Sequence, residues 1–119
     1  MAVVTLTPLF VALGGALGAV CRHLVDTHIE RARVDTLVVN VLGSLLLGFV
    51  LAAPLGESAV ALAGTGFCGA FTTFSSFAFE TVRLAEDGFV RAAAANAVGT
   101  FTLAVVGVVV GGWGGSVVF

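Results

Sequence analysis

The sequence predicts an all-α integral membrane protein with four transmembrane helices in a single domain, residues 1–119. Composition is the first reason: 59% of the residues are hydrophobic and only 10% are charged, whereas soluble domains carry about 25% charged residues. The second reason is that four stretches contain no Asp, Glu, Lys or Arg, namely 1–21, 36–56, 58–79 and 92–119. Each reaches the roughly 18–20 residues that cross a bilayer as a helix.

The apolar stretches and the polar residues between them set the expected helices. These are helix 1 from Val4 to Leu24, helix 2 from Thr36 to Leu55, helix 3 from Ala59 to Val82 and helix 4 from Ala92 to Gly112. Polar connections are expected at 26–35 and 83–91, and "PLGES" turns the chain between helices 2 and 3. Trp113 follows helix 4, where an interfacial anchor belongs.

Pairs of glycines spaced four residues apart predict close helix contacts. Gly14 and Gly18 lie in helix 1, and Gly107 and Gly111 lie in helix 4. Small residues at this spacing let two backbones approach each other in lipid. We expect both helices to pack through these faces.

The five arginines predict the orientation in the membrane. They are Arg22, Arg31, Arg33, Arg83 and Arg91. All fall at the connection between helices 1 and 2 or between helices 3 and 4, which share one side of the membrane. The positive-inside rule places that side in the cytoplasm of a cell-membrane protein and both termini outside. Because the net charge is −2 and no basic face is present, nucleic acid is not an expected partner.

The asparagines Asn40 and Asn96 both lie inside charge-free spans. An amide moved into hydrocarbon without a partner costs about 4–8 kcal/mol. Each side chain must therefore bond to another helix, to water or to a permeating species. An ordinary interhelical hydrogen bond and a place on an ion path both remain open for these residues.

The stretch "GFCGAFTTFSSFAFE", residues 66–80, combines glycines, four hydroxyls and phenylalanines. We expect the third helix to be broken here, with Gly66 and Gly69 relaxing the backbone. A break in mid-membrane is tolerated only where the chain is buried or lines a cavity. Phe74 and Phe77 share a helix face, and an aromatic ring has a positive edge that can meet an anion. The residues predict a narrow path that solvates an ion with neutral groups.

Four motifs resemble the CrcB/Fluc fluoride channel family, and the resemblance covers the whole chain. They are "GGALGAVCR" at 14–22, "DTLVVNVLGSLLLG" at 35–48, "GFCGAFTTFSSF" at 66–77 and "NAVGT" at 96–100. The third is the most specific, although it has Ala70 where the family signature has a second glycine and Ser76 where threonine is common. The resemblance implies a fluoride-selective channel that exports fluoride passively and relieves its toxicity. It also implies an antiparallel dimer with two pores.

The resemblance also implies the site residues. Along the fluoride path they are Asn40, Phe74, Phe77, Ser75 and Thr36. The backbone carbonyls of Gly69 and Thr72 would hold a structural sodium ion at the dimer interface. Arg22 matches the arginine of the first motif, with a structural or anion-attracting role. Asn96 and Thr100 begin and end the "NAVGT" motif and are further candidates.

The uneven distribution of the arginines predicts the topology of the partner subunit. Many members of the family insert in both orientations and form homodimers, but the bias here predicts one fixed orientation. An antiparallel partner would then need the opposite bias. We therefore expect a related second subunit of opposite topology, with a homodimer as the alternative.

Two other functions are alternatives to the channel. A proton-coupled exporter of the small multidrug-resistance type also has four helices, but it needs a carboxylate within the membrane, and Asp26, Glu57 and Glu80 are expected at span ends. A non-transporting assembly subunit would account for the glycines and asparagines but not for the cluster of hydroxyls and phenylalanines. No enzyme is expected, since His23 and His28 occupy a polar loop without a further ligand at metal spacing.

Overall fold

The computed structural model describes the backbone of residues 2–119 and the side chains of residues 6–31 and 33–119. The helices are α1 (Ala2–His28), α2 (Ala32–Ala52), α3 (57–71), α4 (Phe74–Glu86) and α5 (Val90–Val118). Helix α3 is composite: it begins as a regular turn at Glu57–Val60, continues as a π-helix at Ala61–Cys68 and ends with Gly69–Phe71. The described residues contain no strand.

Four helical stretches are long and apolar enough to cross a membrane. They are Leu6–His28, Arg33–Ala52, Glu57–Glu86 and Val90–Val118. The third consists of α3 and α4 together with the residues between them. The all-helical, four-span architecture predicted from the charge-free stretches is confirmed.

The helices extend further into the polar connections than predicted. Helix α1 continues to His28 and α2 begins at Ala32, so most of the expected loop at 26–35 is helical. Charged side chains at the end of a membrane helix can reach water. A charge-free stretch therefore marks the part of the helix that lies in the membrane, and the helix itself can continue beyond that stretch. Likewise α5 runs to Val118 through the glycine-rich tail, and Trp113 is an exposed helical residue.

Helix α2 ends earlier than predicted. Its last residue is Ala52, and Ala53 is extended with ψ 146°. Because the ring of Pro54 collides with a preceding residue in helical conformation, Ala53 is driven out of the helix. The predicted end of helix 2 at Leu55 was therefore wrong, because it did not allow for the effect of Pro54 on Ala53.

Glycines determine the two most extensive helix contacts, α2 against α5 and α1 against α3. A Cβ atom on Gly111 would collide with the carbonyl oxygen of Leu45, and one on Gly14 would collide with that of Leu62. A Cβ on Gly107 would lie 3.1 Å from the Val41 oxygen. The prediction of close contacts through these glycine pairs is confirmed.

Substitution of Gly111 tests this packing. Gly111→Ala should destabilise the protein by about 1–3 kcal/mol, since an added methyl overpacks a contact made by backbone. Gly114→Ala is the matched control, because a Cβ at Gly114 would have no neighbour within 4 Å. Thermal unfolding in detergent, followed by circular dichroism, should show a lower midpoint for the first variant only. Equal midpoints for the two variants would contradict the packing argument.

Candidate functional site

The third span is interrupted between α3 and α4. Thr72 (φ −82°, ψ 164°) and Thr73 (φ −147°, ψ 121°) are both extended. Neither conformation requires glycine, and Gly69 is itself helical with φ −61° and ψ −37°. The expectation that the glycines relax the backbone here was wrong. Gly66 instead permits close approach of α1, since a Cβ there would lie 2.6 Å from the carbonyl oxygen of Val11.

Asn40 on α2 binds the backbone at this interruption. The Thr73 amide donates to Asn40 Oδ1 at 2.7 Å, and Asn40 Nδ2 donates to the Thr73 carbonyl at 2.9 Å. One side-chain amide thus pairs with both polar groups of an extended residue. Since an unpaired backbone group in an apolar environment is unfavourable, Asn40 Oδ1 compensates for the helical hydrogen bond that the Thr73 amide lacks.

Thr73 is the N-cap residue of α4 and is not among the site residues predicted from the sequence. Its side chain is buried, and its Oγ1 accepts a hydrogen bond from the Ser76 amide at 3.2 Å. The same oxygen lies 3.4 Å from Ser75 Oγ. Threonine is a favoured residue at the N-cap of a helix. That preference was the available signal, because Thr73 directly precedes the run of residues that forms α4.

The interruption affects the four backbone carbonyls of residues 69–72, whose donors in a continuous helix would be the amides of residues 73–76. In a continuous helix the Thr73 amide would bond to the Gly69 carbonyl, and the Ser76 amide to the Thr72 carbonyl. Both amides donate elsewhere, to Asn40 Oδ1 and to Thr73 Oγ1. The carbonyl oxygens of Gly69 and Thr72 are therefore available to another ligand.

A cavity of about 470 Å³ lies beside the interruption and is lined by α2, α3, α4 and α5. Its polar or aromatic lining residues are Asn40, Ser44, Thr65, Cys68, Thr72, Thr73, Phe74, Phe77, Thr100 and Phe101. No charged side chain lines the cavity in the described part of the chain. The rings of Phe74 and Phe77 have centroids 6.0 Å apart and are tilted by 53°. With Phe74 79% exposed, the cavity opens toward the outside of the single chain.

Helical periodicity accounts for part of this lining. Asn40 and Ser44 are four residues apart on α2, so the two share a helix face. Ser44 and Thr65 were missed in the sequence, although the spacing of Ser44 from Asn40 could have indicated it. The hydroxyl of Thr72 donates to the Cys68 carbonyl at 2.8 Å, one turn earlier in its own helix.

The predicted site residues fall into two groups. Asn40, Gly69, Thr72, Phe74, Phe77 and Thr100 line the cavity. Ser75, Thr36, Arg22 and Asn96 lie outside its lining. Of these, Thr36 is buried and donates to Glu80 Oε1 at 2.8 Å.

Arg22 and Asn96 hold α4 to its neighbours. Arg22 Nη2 donates to Ser76 Oγ at 3.2 Å. Asn96 Nδ2 donates to Thr81 Oγ1 at 2.8 Å, and Thr81 donates in turn to the Phe77 carbonyl at 2.8 Å. Of the possibilities left open for Asn96, the structure shows the interhelical hydrogen bond.

Glu80 lies on α4, which continues to Glu86. Its Oε1 accepts from Thr36, whereas its Oε2 is buried and has no hydrogen-bond partner among the described residues.

Four helices able to cross a membrane, around an uncharged cavity in the described part of the chain, define a small multi-pass integral membrane protein. A family model described as "CrcB-like protein, Camphor Resistance (CrcB)" matches residues 9–112. The chain belongs to this family, and the resemblance seen in the sequence is confirmed.

Curated relatives extend over most of the chain. The protein named "Fluoride-specific ion channel FluC 2" of Natronomonas pharaonis is 56% identical over 106 residues, 89% of this chain and 91% of the relative. The protein of the same name from Haloarcula marismortui is 51% identical over 100 residues, 82% of this chain and 84% of the relative. "Fluoride-specific ion channel FluC 1" of Nocardia farcinica is 47% identical over 94 residues, 74% of this chain and 66% of the relative.

The Thr73 cap can be tested without measuring any activity. Thr73→Val keeps the shape of the side chain but removes the acceptor for the Ser76 amide, which should destabilise α4 by about 1 kcal/mol. Hydrogen exchange at the Ser76 amide should accelerate roughly fivefold, as that loss of free energy implies. Thr72→Val is the control, because the Thr72 hydroxyl bonds only within its own helix. Unchanged exchange in Thr73→Val would disprove the capping role.

Proposed function

We propose that this chain is a subunit of a fluoride-selective channel through which fluoride leaves the cell passively. Membership of the CrcB-like family and the names of the relatives support this proposal. The observation that carries it is a cavity at the interrupted span, lined by an amide, hydroxyls and phenylalanine rings and by no charged side chain in the described residues. Neutral dipoles can replace water around a small anion and still release it, as conduction requires.

Asn40, Phe74 and Phe77 would contact the ion. A carboxamide nitrogen has two hydrogens, and only one of those on Asn40 Nδ2 is engaged by the Thr73 carbonyl. The second would point to the ion. The positive edges of the two rings would add contacts without a fixed charge.

The hydroxyls would continue the path on either side. Thr36, Asn40 and Ser44 follow one another at intervals of four residues, so α2 presents a polar row along one face. Thr36 would contribute near the start of the span. Ser75 is exposed beside Thr73, where it would meet the ion next to Phe74.

We propose that the interruption serves as the family's broken third helix, with a structural sodium ion at the carbonyls of Gly69 and Thr72. These are the two oxygens whose helical donors bond elsewhere, which fits the demand of a hard cation for oxygen ligands. Carbonyls released by unwound membrane helices hold sodium in other transport proteins. The ion would supply positive charge that fixes the two segments of the third span.

The open side of the cavity supports a dimer. Phe74, Thr65 and Gly69 are exposed in the single chain, so this side of the cavity would face lipid if the chain were alone. An antiparallel second subunit would cover this side, as the family resemblance implies. The relatives' names include both FluC 1 and FluC 2, which is compatible with a related subunit as partner. Arginines confined to two connections would place both termini outside the cell.

Substitutions in the cavity test the path. Phe74→Ile keeps an apolar side chain but removes the ring edge, and Asn40→Asp removes a donor and introduces a repelling charge. Hydrogen bonds to charged groups are worth about 1.5–3 kcal/mol, so fluoride efflux should fall roughly 10- to 100-fold. Liposomes loaded with fluoride and monitored with a fluoride electrode give the rate.

Phe79→Ile is the matched control, since Phe79 is exposed on the same helix but does not line the cavity. Its rate should equal that of the unchanged protein. Normal efflux in both cavity variants would remove Phe74 and Asn40 from the path. Repeating the assay with chloride measures selectivity.

Orientation is tested with an epitope tag at the C-terminus. With the arginine-bearing connections in the cytoplasm, antibody applied outside intact cells should label the tag almost completely. Equal labelling from both sides would exclude a single orientation and favour a homodimer.

Efflux from liposomes holding this chain alone, and then with a related partner, would show whether the second subunit is required.

A further inference from the structure

A second cavity of about 480 Å³ lies at the start of α2, away from the interrupted span. Arg31, Arg33, Val34, Leu37 and Asn96 line it, and none of these residues lines the first cavity. The second candidate span begins at Arg33. The cavity therefore lies at the boundary between the membrane and water, where lipid headgroups are found.

The rim of this second cavity is basic, because it carries two arginines that are not engaged in ion pairs. The ion pairs of the described residues join Arg22 to Asp26 and Arg83 to Asp87, so neither Arg31 nor Arg33 is engaged in one. The N-terminus of α2 has no side-chain cap, and its first backbone amides add partial positive charge. Glu80 offsets part of this charge through its electrostatic attraction to Arg33, and Asp35 contributes a second carboxylate in the first turn of α2.

Its wall is apolar. Val34 is 41% exposed, and Leu37 lies on the same face of α2, three residues further into the span. A soluble anion would leave these side chains without a contact. A phospholipid would place its phosphate among the arginines and the upper part of its acyl chains against Val34 and Leu37. Asn96, engaged through one amide hydrogen with Thr81, can contribute its second hydrogen to the ligand.

We propose that this cavity binds the headgroup of an anionic phospholipid, with the guanidinium groups of Arg31 and Arg33 on its phosphate. Basic pockets between membrane helices bind anionic headgroups, and the planar guanidinium matches the geometry of phosphate. The bound lipid would fix the connection between α1 and α2 at the membrane surface. The proposal does not depend on fluoride conduction.

Native mass spectrometry of the purified protein, titrated with phosphatidylglycerol in detergent, tests the site. Arg31→Gln and Arg33→Gln should each weaken lipid binding about fivefold, and the double variant on the order of 25-fold. Arg91→Gln is the matched control: Arg91 is exposed and unpaired within the described residues but lies outside the cavity. It should change binding by about twofold or less.

Three outcomes would overturn the proposal. An equal loss in Arg91→Gln would show a general effect of surface charge. Phosphatidylcholine binding as tightly as phosphatidylglycerol would show that the arginines do not recognise an anionic headgroup. Displacement of the lipid by an equal concentration of glycerol phosphate would indicate a site for free phosphate. Because both arginines are exposed, the variants should retain the helical circular dichroism of the unchanged protein.

Discussion

Two hydrogen bonds between the Asn40 side chain and the Thr73 backbone make the interrupted third span possible. The amide of an extended residue within a membrane span has no helical acceptor, and lipid offers none. Asn40 Oδ1 accepts from the Thr73 amide at 2.7 Å, and Asn40 Nδ2 adds a bond to the Thr73 carbonyl at 2.9 Å. Because Thr73 is held in this way, α4 can begin at Phe74 with Thr73 Oγ1 as its cap.

The same interruption creates the chemistry of the cavity. It releases the carbonyls of Gly69 and Thr72 and presents the rings of Phe74 and Phe77 beside an amide and several hydroxyls. All of these groups are dipoles or quadrupoles rather than charges. A fixed positive charge in an apolar surrounding would hold a small anion tightly, whereas dipoles can compensate for lost hydration and still permit release. Charged side chains occur in the surrounding structure instead, as in the contact between Arg22 and Ser76.

Contacts between helices hold the uncharged groups of the cavity in place. Glycines bring α2 against α5 and α1 against α3 at distances that no larger residue would allow. Asn96 and Thr81 tie α5 to the carbonyl of Phe77, and Thr36 ties α2 to Glu80. Each polar contact joins α4 to a different helix. The short helix is thus fixed by hydrogen bonds where it has little buried apolar surface of its own.

The sequence by itself determined the four spans and the glycine pairs at which helices pack closely. It also showed that Asn40 and residues 66–80 place polar side chains within apolar spans. These follow from composition and from periodicity along one helix, which are local properties. Only the tertiary structure decided that the interruption falls at Thr72 and Thr73, that Asn40 binds the Thr73 backbone, that Ser44 and Thr65 share the cavity, and that Glu80 accepts a hydrogen bond from Thr36. Each of these facts depends on which faces of separate helices meet, and the spacing of residues within one helix does not specify its neighbour.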